Sequence, residues 1–182
     1  PPALKSTILG DYCYKWIFKN CTSLISAPEL PALTLASYCY HSAFEGCTSL
    51  VNAPQLPATE MKPNCYRSLF FGCTSLVNAP ELPATTLAEG CYRSLFNGCT
   101  SLTTAPDLLA PTLVSYCYAY LFNACTSLNS VKCTATSGVG SNNSTAEWLW
   151  NVSPTGTFTK ESGVTWETGV SGIPTGWTVV NS

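Results

Sequence analysis

The residues with the most chemical potential in this 182-residue chain are its eleven cysteines, and their spacing limits what they can do. Cys21, Cys47, Cys73, Cys99 and Cys125 each open a Cys-Thr-Ser-Leu tetrapeptide, 26 residues apart every time. Cys13, Cys39, Cys65, Cys91 and Cys117, each followed by Tyr, run at the same period eight residues ahead. On a helix, Cys91 and Cys99 would stand about 12 Å apart, beyond the roughly 7 Å between Cα atoms that a disulfide spans. Equivalent cysteines in stacked units would approach to about 5 Å, so bonds between units stay open. The periodicity favours a simpler role, thiols used as small hydrophobes at packing positions. No histidine recurs with them, so neither a metal nor a cofactor is expected.

Other catalytic groupings are equally sparse. His41, the one imidazole, follows Cys39 by two residues, and positions two apart do not face each other on a helix. It fills the slot held elsewhere by Lys15, Arg67 and Arg93, and reads as an exposed helix residue. Glu29, Glu81 and Asp107 share one repeat position, but Gln55 intervenes, so stacking would hold Glu29 and Glu81 about 10 Å apart, as on a solvated edge. There is no Gly-x-Ser-x-Gly, His-Glu-x-x-His or phosphate-cradling loop with Lys. An enzyme is not expected.

The elements that must position these residues follow from the period, since self-similarity at 20 to 50 residues marks a stacked-repeat architecture. Pro2, Leu4 and Leu9 fall where Pro80, Leu82 and Leu87 do, so the first residues align with the middle of a unit. Leu87, Cys91, Leu95, Phe96 and Cys99 suggest one apolar face of a short helix over 88–97, with counterparts near 10–19, 36–45, 62–71 and 114–123. Gly46, Gly72 and Gly98 would cap three of these, with Asn20 and Ala124 in the same slot of the others. The other half, such as Leu76–Ala79, predicts a short strand that must end before Pro28, Pro54, Pro80 or Pro106, because proline has no N–H for a ladder. Leu24, Leu50, Leu76, Leu102 and Leu128 should form one buried column and Phe18, Phe44, Phe70, Phe96 and Phe122 another. Tyr14, Tyr40, Tyr66, Tyr92 and Tyr118 should form a half-buried spine with hydroxyls reaching solvent.

The period, the Gly-Cys-Thr-Ser-Leu start of the inner units, the Tyr/Phe-bearing segment before it and the Leu-Pro after it resemble the BspA-type leucine-rich repeats of bacterial surface proteins, in a 26-residue variant. The resemblance covers roughly residues 1–135. It departs from the general pattern in Ala27, Ala53, Ala79 and Ala105, where a larger aliphatic residue is usual, and in a displaced Pro111. The fold expected is an α/β, right-handed leucine-rich-repeat solenoid of about five units, each a short parallel strand plus a short helix, over 1–135. Residues 136–182 would form a small β-rich C-terminal cap.

In that last segment, Ser144-Thr-Ala-Glu147 suggests a capping box opening a short helix through Trp148 and Trp150. Strand composition recurs at 156–160, 164–166 and 177–180. Four of five tryptophans lie here; they would cover the last open rung, or offer an aromatic platform to sugars.

Only 10% of residues are charged, against about a quarter usually, and the net charge is −2 with no basic run. An electrostatic grip on nucleic acid or an anionic membrane is thus excluded, and no segment has the roughly 18 apolar residues of a membrane span. The expected function is a non-catalytic surface or secreted module binding another protein, a host or surface component, through the strand face. The candidate residues are Val51, Asn52, Gln55, Val77, Asn78, Glu81, Thr103, Thr104 and Asp107, where a side chain of each strand pair should point outward. The alternatives are a spacer or fibre module of a cell-surface or phage appendage, self-assembling through an open N-terminal rung, and glycan binding by the tail. Resemblance to surface proteins implies an extracellular or cell-surface bacterial address, with any signal or anchor outside these residues.

Overall fold

Backbone N–H groups in residues 10–21 divide their hydrogen bonds in two, and this division sets the architecture. In the computed structural model, which describes residues 2–182, Cys13, Lys15, Ile17 and Lys19 donate to the carbonyl three residues back. The residues between them, Tyr12, Tyr14, Trp16, Phe18 and Asn20, donate instead to Ser37, Cys39, His41, Ala43 and Glu45 in the next unit. The same alternation repeats at 38–46, 64–72, 90–98 and 116–124. Each unit is therefore a rung of overlapping tight turns, laid on the next rung through five backbone bonds.

This corrects the expected fold class. Among the described residues there is no α-helix, and the segments near 10–19, 36–45, 62–71, 88–97 and 114–123 are turns. An α/β leucine-rich-repeat solenoid with short helices and strands does not describe the chain. An α-helix would satisfy its N–H groups internally at i−4, whereas here half of them serve the neighbouring rung. The turns need a left-handed residue at every fourth position: φ is 57° at Tyr38, 54° at Ser42 and 72° at Gly46. Gly46, Gly72 and Gly98 are left-handed as expected of caps, but they close turns; Asn20 and Ala124 adopt the same conformation in the same slot, at φ 60° and 59°. Asn tolerates that region well; Ala124 carries the steric cost of its Cβ.

The opposite side of each rung is also less regular than expected. Parallel bridges link Ser26 to Asn52, Asn52 to Asn78 and Thr104 to Ser130, without forming extended strands. Only at the C-terminal end does this column become a sheet, with β1 (Ser130–Cys133), β2 (Thr157–Lys160) and β3 (Thr178–Asn181) parallel in that order. The segment at 164–166 is not a strand, and the capping-box helix is replaced by a 3-10 turn at Ser141–Asn143 and further tight turns. Tyr118, Tyr120, Phe122 and Ala124 donate to Ser144, Ala146, Trp148 and Trp150, so the ladder runs on beyond residue 135. Trp148 stacks on Tyr118 and Trp166 stacks on Trp148, at 6.5 and 5.2 Å between ring centres.

Stacked side chains fill the interior. Phe18, Phe44, Phe70, Phe96 and Phe122 form a buried file with ring centres 5.3–5.7 Å apart. Leu50, Leu76, Leu102 and Leu128 are buried beside it, while Leu24 in the first rung is half-buried. The tyrosine file is deeper than expected: Tyr40, Tyr66, Tyr92 and Tyr118 are buried, and the hydroxyls of the first three have no hydrogen-bond partner. Stacking rings in register holds these three hydroxyls inside the stack, where they find no partner.

Two substitutions probe this core. Phe70→Ala should cost about 3–5 kcal/mol in denaturant unfolding, because flanking rungs cannot collapse into the space without breaking their own ladders. Tyr66→Phe should instead leave stability unchanged or raise it by about 1 kcal/mol, because it removes a buried, unpartnered hydroxyl. A loss of more than about 1 kcal/mol would show that this hydroxyl is satisfied.

Candidate binding face

The nine candidate residues lie on the bridge side of the stack, and both members of each pair after the buried leucine are exposed, not one. Val51 and Asn52 face solvent together, as do Val77 with Asn78 and Thr103 with Thr104. Strand alternation fails because these segments make single bridges and bend at once into the buried prolines Pro54 and Pro80. The face is thus richer in accessible groups than a pleated strand would allow. Val51 is 37% exposed and Val77 45%, a small apolar stripe continued in the first unit by Ile25.

Polar groups border that stripe in a fixed order. The Asn78 side-chain amide donates to the Asn52 side-chain oxygen at 2.8 Å, tying two rungs together across the surface. Between the third and fourth rungs neither a backbone hydrogen bond nor a bridge joins 77–79 to 103–105, whereas 51–53 bonds to 77–78, 103–105 bonds to 129–130, and 25–27, also without a hydrogen bond, still bridges 51–53 at Ser26 and Asn52. An open groove of about 270 Å³ lies at this interruption, lined by Val77, Asn78, Ala79, Glu81, Thr103, Thr104, Ala105 and Pro106. Five of the nine candidates are therefore gathered in one concavity. Val51 and Asn52 lie one rung away, and Gln55 is exposed beside them. Asp107 is diverted: Lys132 binds its carboxylate at 2.6 Å, which breaks the expected acidic edge.

The other chemical candidates are accounted for by packing. His41 is half-buried, not exposed; its Nδ1–H donates to the Arg67 carbonyl at 3.0 Å, and burial lowers its pKa. Arg93 lies over the rings of Tyr116 and Tyr120. No cluster of three His, Cys, Asp or Glu side chains suited to a metal occurs among the described residues. Of the four tail tryptophans, Trp148, Trp166 and Trp177 are buried and only Trp150 is exposed. Trp150 lines a second groove of about 320 Å³ with Asn151, Ser153, Pro154 and Val170, which the sequence reading did not anticipate. Nothing in the sequence marks which of the four tryptophans stays outside.

All eleven cysteines are free thiols and nine are buried, leaving Cys13 and Cys21 exposed. Cys47, Cys73, Cys99 and Cys125 donate to the carbonyls of Phe18, Phe44, Phe70 and Phe96 at 3.0–3.2 Å. Burial pushes Cys39 and Cys47 up to about 11 and Cys65 and Cys73 up to about 12. Such thiols are poor nucleophiles at neutral pH. Because their folded pKa lies above the ordinary value of 9.0, the stability they contribute is complete below it and lost as pH climbs toward the folded values. The melting temperature in reductant should accordingly be steady below pH 9 and fall between pH 9 and 11. A thiol reagent at neutral pH should label two cysteines in the native chain and all eleven after denaturation; extensive native labelling would refute the buried columns. Comparison of the chain with protein-family models, with curated proteins and with solved structures returns no match.

Proposed function

We propose that the chain is a non-catalytic binding module, of a surface or secreted protein, that holds another protein through the bridge face. The observation that carries this reading is the groove at the interrupted ladder, where apolar Val77 lies among Asn78, Glu81, Thr103 and Thr104. Protein interfaces combine desolvatable apolar area with hydrogen-bonding neighbours, and backbone groups left unpaired between 77–79 and 103–105 add donors and acceptors for an extended segment. Scarcity of charge argues for an interface set by shape and neutral hydrogen bonds over one steered by electrostatics. The alternative of a spacer or fibre module is supported by the regular stack itself. Glycan binding by the tail is narrowed to Trp150, since its three tail companions are buried.

Arrays of extracellular proteins and glycans probed with the purified chain provide the first test. For a protein ligand found that way, Val51→Lys with Val77→Lys should abolish binding while stability stays within about 1 kcal/mol, as exposed changes normally do. Arg67→Glu with Arg93→Glu should leave binding nearly intact. The reverse ranking would move the site to the turn face, and a glycan ligand lost on Trp150→Ala would move it to the tail groove.

A further inference from the structure

The two ends of the stack are not equivalent. On the turn side every backbone bond between rungs runs one way, from an N–H of the earlier rung to a carbonyl of the later one. The first rung therefore spends its alternate N–H groups on the second, while the carbonyls of Asp11, Cys13, Lys15, Ile17 and Lys19 receive no donor among the described residues. Their counterparts Ser37, Cys39, His41, Ala43 and Glu45 each accept one. The side chains follow the same rule. Ile17 is 39% exposed where Leu69, Leu95 and Leu121 are fully buried, and Cys13 and Cys21 are exposed where all their later equivalents are buried. The Cys21 thiol also lacks the carbonyl that Cys47, Cys73, Cys99 and Cys125 each find in the preceding rung.

We propose that the N-terminal face is a docking surface for one further rung of this same 26-residue pattern, stacked in register and presenting its N–H groups to these carbonyls. The face continues an interface that the chain already forms four times between its own repeats, with the same groups in the same places. A second copy of the chain is a poorer occupant. Two such faces meeting would set carbonyl against carbonyl. A head-to-tail copy would have to bring its last turns, where Ser171 and Gly172 already engage Thr145, Glu147 and Trp148. This inference does not depend on the bridge face binding a ligand.

The test joins a copy of residues 53–78 directly ahead of Pro1, which keeps the 26-residue register. Iodoacetamide labelling is then followed by mass spectrometry at each cysteine. In the extended chain, labelling of Cys13 and Cys21 should slow by about tenfold or more, as for groups reached only by local opening, and the melting temperature should rise. The same copy joined after Ser182 should change neither. A second extension, with a copy of residues 27–52, guards against a poor choice of rung. Unchanged labelling of Cys13 and Cys21 in both extended chains, with cooperative unfolding retained, would overturn the proposal. So would a dimer of the unextended chain in sedimentation that protects these two cysteines, since the occupant would then be a second copy.

Discussion

Half of the peptide groups on the turn side of this protein are satisfied only by a neighbouring rung, and most other features follow from that dependence. A buried N–H or carbonyl without a partner costs as much as a lost hydrogen bond, so a single rung is not a stable object. Stacking at one peptide per bond then forces equivalent side chains into contact at 5–6 Å, which is why rings lie on rings and thiols beneath carbonyls. Identity of the repeat is a consequence of this geometry. Each ring must meet a ring of similar size, because the spacing is fixed by the backbone and cannot adjust to the side chain.

The 26-residue period and the buried leucine and phenylalanine files were legible in the sequence, because burial leaves its mark on composition at every turn of the stack. The local conformation was not. Leu87, Cys91, Leu95 and Cys99 are spaced by fours, and an apolar recurrence of four suits a helix over two turns. Over twelve residues it does not: at 3.6 residues per turn, Cys99 would lie about 120° away from Leu87. A strict spacing of four instead fits a chain that turns in four-residue steps, with one left-handed residue in each. The glycines at 46, 72 and 98 were visible signs of that conformation, but Ser42, Ser68 and Ser94 share it with no compositional mark. The tyrosine hydroxyls were misjudged for a related reason, since amphipathic side chains usually reach water and only the stacking register prevents it here.

For the candidate face, sequence reasoning located the outward positions but not their grouping. The interruption between the third and fourth rungs falls where Val51-Asn52 and Val77-Asn78 give way to Thr103-Thr104, so the Asn52–Asn78 contact has no counterpart there, but the groove itself is a property of how two backbones meet. Lys132, which captures Asp107, stands where earlier repeats hold proline. The breakdown of the repeat at its end is what removes an acid from the edge.

The one-way ladder has an electrical consequence. Tyr14 donates to Cys39, Tyr40 to Cys65, Tyr66 to Cys91, Tyr92 to Cys117 and Tyr118 to Ser144, and each acceptor from Cys39 to Cys117 belongs to the same peptide group as the next donor. The bonds form continuous head-to-tail chains along the stack axis, in which each link polarises the next. Peptide dipoles that cancel in an ordinary sheet here add up, with partial negative charge at the N-terminal rung and partial positive charge at the other end. The sign is opposite to that of an α-helix read in the same chain direction. Lys15 and Lys19 stand at the negative end, where their positive charges offset that pole.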